Sequence, residues 1–290
     1  TVRDRIHAAN KAFRITDADT IVWVLPMAHH FLVTIVLYLA QGATIRLVQN
    51  TLAKSILDAA QHATILYAAP MHYAWLARDK SNATLDTIRL AISTTCALPQ
   101  DVAEAFEKRF HHPLRQALGI IELGLVCLNL DGPWNSVGKP LPDFRVKLVD
   151  GDLYVSGPGF FDAYADPWTP REGEWFHTGD IAKLDDAGRV YLLSRKTAVI
   201  NMAGRKVFPE EIEAVLNQHP AVKDCRVYGR AHAHLGELIE ADVVAQPGAD
   251  PEKLRDHCRA HLAAYKVPSD IHFVDAVART AVTGKIIRHG

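Results

Sequence analysis

The chain has 290 residues, length enough for about two domains of roughly 100–200 residues each, with room for a small third. Apolar residues make up 49% and charged residues 22%, a globular composition that excludes disorder and fibrous repeats. With 32 basic against 33 acidic residues the formal net charge is -1, so no global field draws the chain to nucleic acid or an anionic membrane. The longest apolar stretch, Phe31 to Ala40, is interrupted by Thr34 and falls short of the roughly 20 residues that span a bilayer. No secretion signal is expected, since no basic segment leads into an apolar one at the start; Thr1 in place of Met points to processing or a cut chain. Cysteines stand at 96, 127, 225 and 258 without a C-x-x-C pair, a usage expected of isolated thiols in a reducing cytoplasm.

Strand and helix patterns alternate from the start to residue 132. Strands are predicted at Ile21–Leu25, Thr44–Val48, Thr64–Ala68, Ile88–Ser93 and Leu114–Leu118, and helices near Phe31–Ala40, Leu52–Gln61, Met71–Ala77 and Gln100–Phe110. Mostly apolar strands between amphipathic helices predict a doubly wound parallel sheet, an α/β subdomain over 1–132. Residues 133–195 read differently, as short strands among prolines and glycines: Phe144–Val149, Asp152–Ser156, Ile181–Leu184 and Arg189–Leu193. Asp185-Asp186-Ala187-Gly188 is hairpin-turn chemistry, and the region is expected to be a small β-rich, barrel-like subdomain.

Residues 196–290 predict a C-terminal α+β domain. Strand pieces at Ala198–Asn201 and Val207 precede a helix over Pro209–Gln218, followed by strands at Cys225–Tyr228 and Leu238–Val244. Asp250-Pro251-Glu252 supplies the cap, first-turn proline and first-turn acid of a helix running to about Ala263, and Ile271–Val274 adds a strand. His257, Cys258 and His261 on that helix pose a choice between a metal-ligand face and a solvated polar face, and the second is favoured for want of a further ligand. The chain closes on a basic tail with Arg279, Lys285 and Arg288.

In an open α/β sheet, ligands bind beyond the carboxyl ends of the strands. Three unusual local sequences fall there: Pro26-Met27-Ala28-His29-His30, Thr94-Thr95-Cys96-Ala97-Leu98-Pro99 and Gly119-Ile120-Ile121-Glu122. Such a rim is expected to set His29 and Glu122 around one crevice. Further on, His177-Thr178-Gly179-Asp180 reads as a turn with an acid at its exit, suited to accept both hydroxyls of a ribose. Ser194-Arg195-Lys196-Thr197 follows, then Gly204-Arg205-Lys206-Val207-Phe208-Pro209-Glu210-Glu211-Ile212-Glu213, and finally Thr283-Gly284-Lys285, a cation placed to meet a phosphate.

In this order and spacing these segments resemble the adenylate-forming superfamily of acyl- and aryl-CoA synthetases, peptide-synthetase adenylation domains and luciferases. The resemblance covers nearly the whole chain and is strongest from Trp175 to Arg288, where T-G-D, S-R, G-R-K-V-x-P-x-E-I-E, Tyr265-Lys266-Val267-Pro268 and T-G-K occur in register. It implies activation of a small carboxylic acid with ATP and Mg²⁺, giving an adenylate, and transfer of the acyl group to the thiol of CoA or of a carrier protein's phosphopantetheine. By the same resemblance His29 orients the substrate carboxylate and Glu122 binds Mg²⁺. Asp180 holds the ribose of ATP or AMP, and Arg195 contacts ribose or phosphate. Thr94, Thr95 and Gly119 line the nucleotide pocket, Gly204 lies on the thiol's approach, and Lys285 bridges carboxylate and α-phosphate. The small domain is expected to swing so that Lys285 leaves before the thiol arrives.

Several positions depart from the family pattern. The Ser/Thr/Gly-rich phosphate loop expected upstream of His29 is not among the 28 residues that precede it. Y-G-x-T-E is replaced by Leu118-Gly119-Ile120-Ile121-Glu122, and G-G-A by Thr94-Thr95-Cys96, whose added bulk points to a small acid. Thr197 fills the hinge slot, and Ala278 stands where proline is usual. The expectation is an AMP-forming ligase that is truncated, split or divergent and weakly active alone. The alternative, carried by Leu118, Ile121 and Thr94-Thr95, is a catalytically decayed ligase-fold module for binding or assembly. Both readings expect an apolar sheet face that favours a homodimer or a complex, with a separate N-terminal half or a carrier protein as the partner.

Overall fold

The apolar runs of the first half become one seven-stranded sheet. In chain order its elements are α1 (Val2–Phe13), β1 (Thr20–Trp23), α2 (Met27–His30), a π-helical stretch (Phe31–Ile35), α3 (Val36–Ala40), β2 (Thr44–Leu47), α4 (Ala53–Ala60), β3 (Ile65–Ala68), α5 (Pro70–Arg78), β4 (Leu90–Ser93), α6 (Gln100–Phe110), β5 (Leu114–Ile120), β6 (Gly124–Leu128) and β7 (Lys139–Pro140). The computed structural model describes residues 1–48, 50, 52–279 and 286–288, and of His29 the backbone alone. The chain divides into an N-terminal unit, Thr1–Thr178 with Ala182–Leu192, and a C-terminal unit, Gly179–Ile181 with Leu193–Gly290. No helix of the described residues is long and apolar enough to cross a membrane.

Strand order is β2-β1-β3-β4-β5-β6-β7, parallel through β5 and antiparallel at β6 and β7. Period-two alternation splits the strands between two cores. Ile21, Trp23, Ile65, Tyr67 and Ile92 pack with Phe13 of α1 and with Ile35, Leu37 and Tyr38. Val22, Leu66, Ala68 and Ala91 pack with Leu57 of α4, Tyr73 of α5 and Phe106 of α6. The β1-to-β2 crossover therefore covers one face and the β3-to-β4 crossover the other. Their directions part between β1 and β3, which is the topological switch point of this sheet.

The amino ends of these strands are tied by Asp19. Its carboxylate accepts from Arg89 Nε and Nη2 (both 2.9 Å), Thr64 Oγ1 (2.6 Å) and the Thr16 N–H (3.0 Å), while Arg89 also donates to the Phe13 carbonyl that ends α1. Burial pushes the Asp19 carboxyl up, but these bonds outweigh it and hold the group at about 2. A depressed folded-state pKa contributes stability above the unfolded value of 3.8 and loses it as pH falls through 2. Asp19→Asn is therefore expected to cost about 2 kcal/mol at pH 7, allowing for the partly exposed Arg89. Urea unfolding followed by tryptophan fluorescence should show the gap to wild type closing as pH falls from about 4 through 2; a gap independent of pH would remove Asp19 from the acid limb.

β8 (Arg145–Val149), β9 (Asp152–Ser156), β12 (Phe176–Leu184) and β13 (Val190–Arg195) form a sheet in the order β13-β12-β9-β8, with β10 (Ala163–Ala165) and β11 (Trp168–Pro170) as a separate hairpin. Asp185 Oδ1 accepts from the N–H groups of Ala187 (3.0 Å) and Arg189 (2.8 Å), which makes the predicted turn between β12 and β13. His177–Asp180, read from the sequence as a turn, instead lies inside β12. Gly179 at φ 75° supplies only a local kink.

The C-terminal unit continues with β14 (Ile200–Met202), β15 (Arg205–Val207), α7 (Pro209–Leu216), β16 (Val222–His232), β17 (Gly236–Ala245), α8 (Pro251–His261) and β18 (Asp270–Phe273). Its sheet runs β15-β14-β17-β16, with β18 parallel to β17, and Ile212, Leu216, Leu254 and Cys258 cover it. Asp250 caps α8 by accepting from the Glu252 N–H at 2.9 Å. Cys258 points into this core, His257 Nε2 meets the Val215 carbonyl (3.1 Å) and His261 Nδ1 the His257 carbonyl (2.8 Å). Those three residues do not share a ligand face.

Candidate active site

At the switch point the carboxyl ends of β1 and β3 present aromatic rings. Trp23 stacks on Tyr67 with centroids 5.2 Å apart and planes 8° from parallel. His30 stands edge-on to both rings at 5.4 and 6.3 Å, and Tyr38 at 6.2 and 6.4 Å. The π-helical stretch between α2 and α3 carries Thr34, whose hydroxyl donates to the His30 carbonyl at 3.3 Å. Single π turns in otherwise α-helical segments recur at functional sites. The helix predicted over Phe31–Ala40 is thus three pieces beginning at Met27, with His29 in the first and its side chain outside the described atoms.

Thr94 leaves β4 buried, its N–H donating to the Ala68 carbonyl (3.1 Å) and its hydroxyl to that of Ala117 (3.4 Å). Thr95 sits at φ 79°. A β-branched side chain in this glycine-like conformation carries strain of about 1–3 kcal/mol. The backbone shape that a glycine would adopt freely is therefore kept with a threonine in place. Gly119 in β5 lies where an added Cβ would come within 2.9 Å of Val33 Cγ1, so the absent side chain admits the π-helical stretch against the sheet.

Glu122 occupies the three-residue turn between β5 and β6 and is half-buried. Its carbonyl accepts from Arg5 Nη2 (2.6 Å), whose Nε also reaches the Gly159 carbonyl. Its carboxylate Oε1 accepts from the Tyr164 hydroxyl at 3.1 Å. Burial, then Glu122 itself, pushes the Tyr164 phenol up, so it remains the donor at neutral pH. Neither Arg5 nor Tyr164 stood out in the sequence. Among the described residues no group of three His, Cys, Asp or Glu is placed to hold a metal. Mg²⁺ commonly takes one or two carboxylates and completes its shell with water and phosphate, so a lone Glu122 fits a Mg²⁺–nucleotide and does not fit an all-protein metal centre.

In the C-terminal unit, Asp180 is 6% exposed and accepts from Arg195 Nε at 3.0 Å. These two predicted residues are brought together, and Gly204 sits in the turn joining β14 to β15 at φ 77°. Lys285 lies outside the described residues. On either side of it in sequence, Arg279 donates to Asp224 Oδ1 at 2.7 Å and Arg288 to Glu213 Oε2 at 2.6 Å.

Residues 2–165, more than half of the chain, match the AMP-binding enzyme family, and residues 211–285 match the AMP-binding enzyme C-terminal domain. The chain is 32% identical to the long-chain-fatty-acid–CoA ligase of Escherichia coli O6:H1 (strain CFT073), an alignment covering 93% of this chain and 53% of that protein. It thus spans about half the length of the curated relatives it matches. ATP-bound MatB from Rhodopseudomonas palustris superposes with a TM-score of 0.88 at 25% identity, over 97% of this chain and 61% of that one. The anthranilate CoA ligase AuaEII, solved with anthranoyl-AMP, gives 0.82 at 25% identity over 98% and 62%. By fold, motif order and the extent of these matches, the chain belongs to the AMP-binding enzyme family.

Proposed function

We propose that this chain carries the carboxylate-activating chemistry of an AMP-forming acid–thiol ligase. The carboxylate of an acid attacks the α-phosphorus of ATP, pyrophosphate leaves, and the acyl adenylate then yields a thioester and AMP to the thiol of CoA or a carrier protein. The observation that carries this reading is the buried Asp180 carboxylate held by Arg195, an acceptor set for ribose hydroxyls beside a cation suited to phosphate. Glu122, braced by Arg5 and Tyr164, has the donor type for Mg²⁺, which when bound supplies charge neutralisation on the phosphates. His29 is assigned to the substrate carboxylate, and Lys285 to the carboxylate and α-phosphate. Both reactants are anions, so the contribution of these residues is positioning and charge stabilisation.

Acid-dependent exchange of labelled pyrophosphate into ATP tests the reading. Exchange that requires both an acid and Mg²⁺ supports it; none with any acid across a broad panel removes the adenylation step. A ligase-fold binding module without turnover is the second reading, favoured by Leu118 and Ile121 in place of an aromatic ring and a hydroxyl. It predicts weak nucleotide binding.

A further inference from the structure

Two side chains hold Glu122 from different elements, and each acts on a different part of it. Arg5, buried in α1, fixes the backbone: its Nη2 donates to the Glu122 carbonyl at 2.6 Å and its Nε to the Gly159 carbonyl. Two glycines at positive φ make room for this arginine. A Cβ on Gly159 (φ 71°) would collide with Arg5 Cγ, and one on Gly124 (φ 81°) would stand 3.2 Å from Arg5 Cδ. One guanidinium thus joins the turn that carries Glu122 to the segment that leads into β10.

β10 carries Tyr164, whose hydroxyl reaches back to Glu122 Oε1 at 3.1 Å. The β10–β11 hairpin has other supports. The Arg171 N–H donates to the Asp162 carbonyl at 2.9 Å, and Arg171 Nε to the Phe161 carbonyl at 3.2 Å. Phe161 lies 4.7 Å from the phenol ring and stands edge-on to Phe176 at 5.9 Å, which aims the phenol. Tyr164 and Glu122 both reach solvent, so their bond exchanges with water and adds little to stability. Its effect is on conformation. A glutamate on a turn samples several rotamers, and a donor fixed on one oxygen selects among them. Among the described residues none donates to Oε2, so the second oxygen is left open. Groups that orient a ligating carboxylate are commonly worth about 10–100-fold in metal affinity.

Resting on the assignment of Glu122 to a Mg²⁺–nucleotide, we propose that Tyr164 is a positioning residue for that carboxylate: it pins Oε1 and leaves Oε2 to the metal of Mg²⁺–ATP. Arg5 keeps the turn and the hairpin in step, so that donor and acceptor meet.

Calorimetric titration of the purified chain with ATP, with and without Mg²⁺, and with AMP alone tests this. The quantity read is the gain in ATP affinity that Mg²⁺ brings; formation of Mg²⁺–ATP in solution is common to every protein compared and cancels. Tyr164→Phe keeps the ring on Phe161 and removes only the donor. It is expected to lose about tenfold of that gain, the lower end of the range because water reaches the site, with AMP affinity within about twofold of wild type. Glu122→Gln should abolish the gain, and Tyr164→Phe added to it should change nothing further, which a merely structural tyrosine would not obey. Thermal unfolding checks that each variant is folded. The proposal is overturned if Tyr164→Phe keeps or increases the gain, if it weakens AMP as much as Mg²⁺–ATP, or if its effect persists beside Glu122→Gln. The underlying reading fails differently. A gain that is absent from wild type, or that survives Glu122→Gln, removes Glu122 from the metal and Tyr164 with it. A gain that depends on Glu122 and Tyr164 in a chain without acid-dependent pyrophosphate exchange keeps the positioning role and loses the ligase.

Discussion

Asp180→Ala is expected to lower the affinity of the chain for AMP by about 100-fold or more. A carboxylate that accepts from two ribose hydroxyls makes two charge-assisted hydrogen bonds, each worth about 1.5–3 kcal/mol, and the sum corresponds to at least two decades in Kd. The size of the effect depends on burial. Asp180 is 6% exposed, so little water can replace it as an acceptor. The substitution does little harm to the fold, because the Arg195 side chain is 57% exposed and can turn to solvent once its partner is gone. Asp180→Asn keeps the shape and one acceptor and is expected to fall between, about tenfold weaker than wild type. Calorimetric titration with AMP orders the three proteins. Equal affinities would take the ribose role away from Asp180 and leave its pairing with Arg195 as structural support for β12.

How much of this was readable before the coordinates varies with the physics of each segment. The parallel strands announced themselves because both of their faces are buried, so Ile21 to Trp23 and Ile65 to Ala68 are unbroken apolar runs. α6 has the bounds Gln100–Phe110 that its periodicity gives. α1 was missed even though Thr1 and Asp4 form a capping box, because Arg5 interrupts the apolar face it belongs to. That arginine is buried for the sake of the Gly159 and Glu122 carbonyls, partners more than a hundred residues away that no local pattern displays. β6 escaped notice because an antiparallel return through a three-residue turn breaks the strand–helix alternation that organised the rest. The site divides in the same way. Glu122, Asp180 and Arg195 were legible as charges in unusual local sequences. Arg279 and Arg288, read as part of a basic tail, are paired with acids of their own unit, which the run of charges alone does not display.

Arg288→Ala is expected to destabilise the C-terminal unit by about 3 kcal/mol at pH 8 and by about 1 kcal/mol at pH 5. The difference comes from Glu213 of α7, which is 7% exposed. Its Oε1 accepts from the Val227 N–H of β16 at 2.8 Å and its Oε2 from Arg288 Nη2 at 2.6 Å, with Glu210 3.4 Å from the same nitrogen. Burial pushes the Glu213 carboxyl up to about 7; the Arg288 charge and the Val227 N–H pull against that, and the Glu210 charge adds to it. A folded-state pKa raised above the ordinary 4.5 means that folding favours the protonated form. The stability this contributes is whole below 4.5 and lost as pH rises through 7. Removing Arg288 takes away the main downward pull, so at pH 8 the unit must bury a bare carboxylate or hold its proton far above its natural range. Breaking a buried pair from one side in this way costs about 3–5 kcal/mol. At pH 5 the group is already largely neutral and only a hydrogen bond and some packing are lost. Glu213→Gln removes the titration and should flatten the dependence between pH 5 and 8, and added to Arg288→Ala it should recover most of the loss at pH 8. All five tryptophans lie in the N-terminal unit, so fluorescence does not follow this change; hydrogen exchange of the Val227 amide does. A penalty for Arg288→Ala that is the same at pH 5 and pH 8 would show that the arginine acts by packing and not by answering a buried charge.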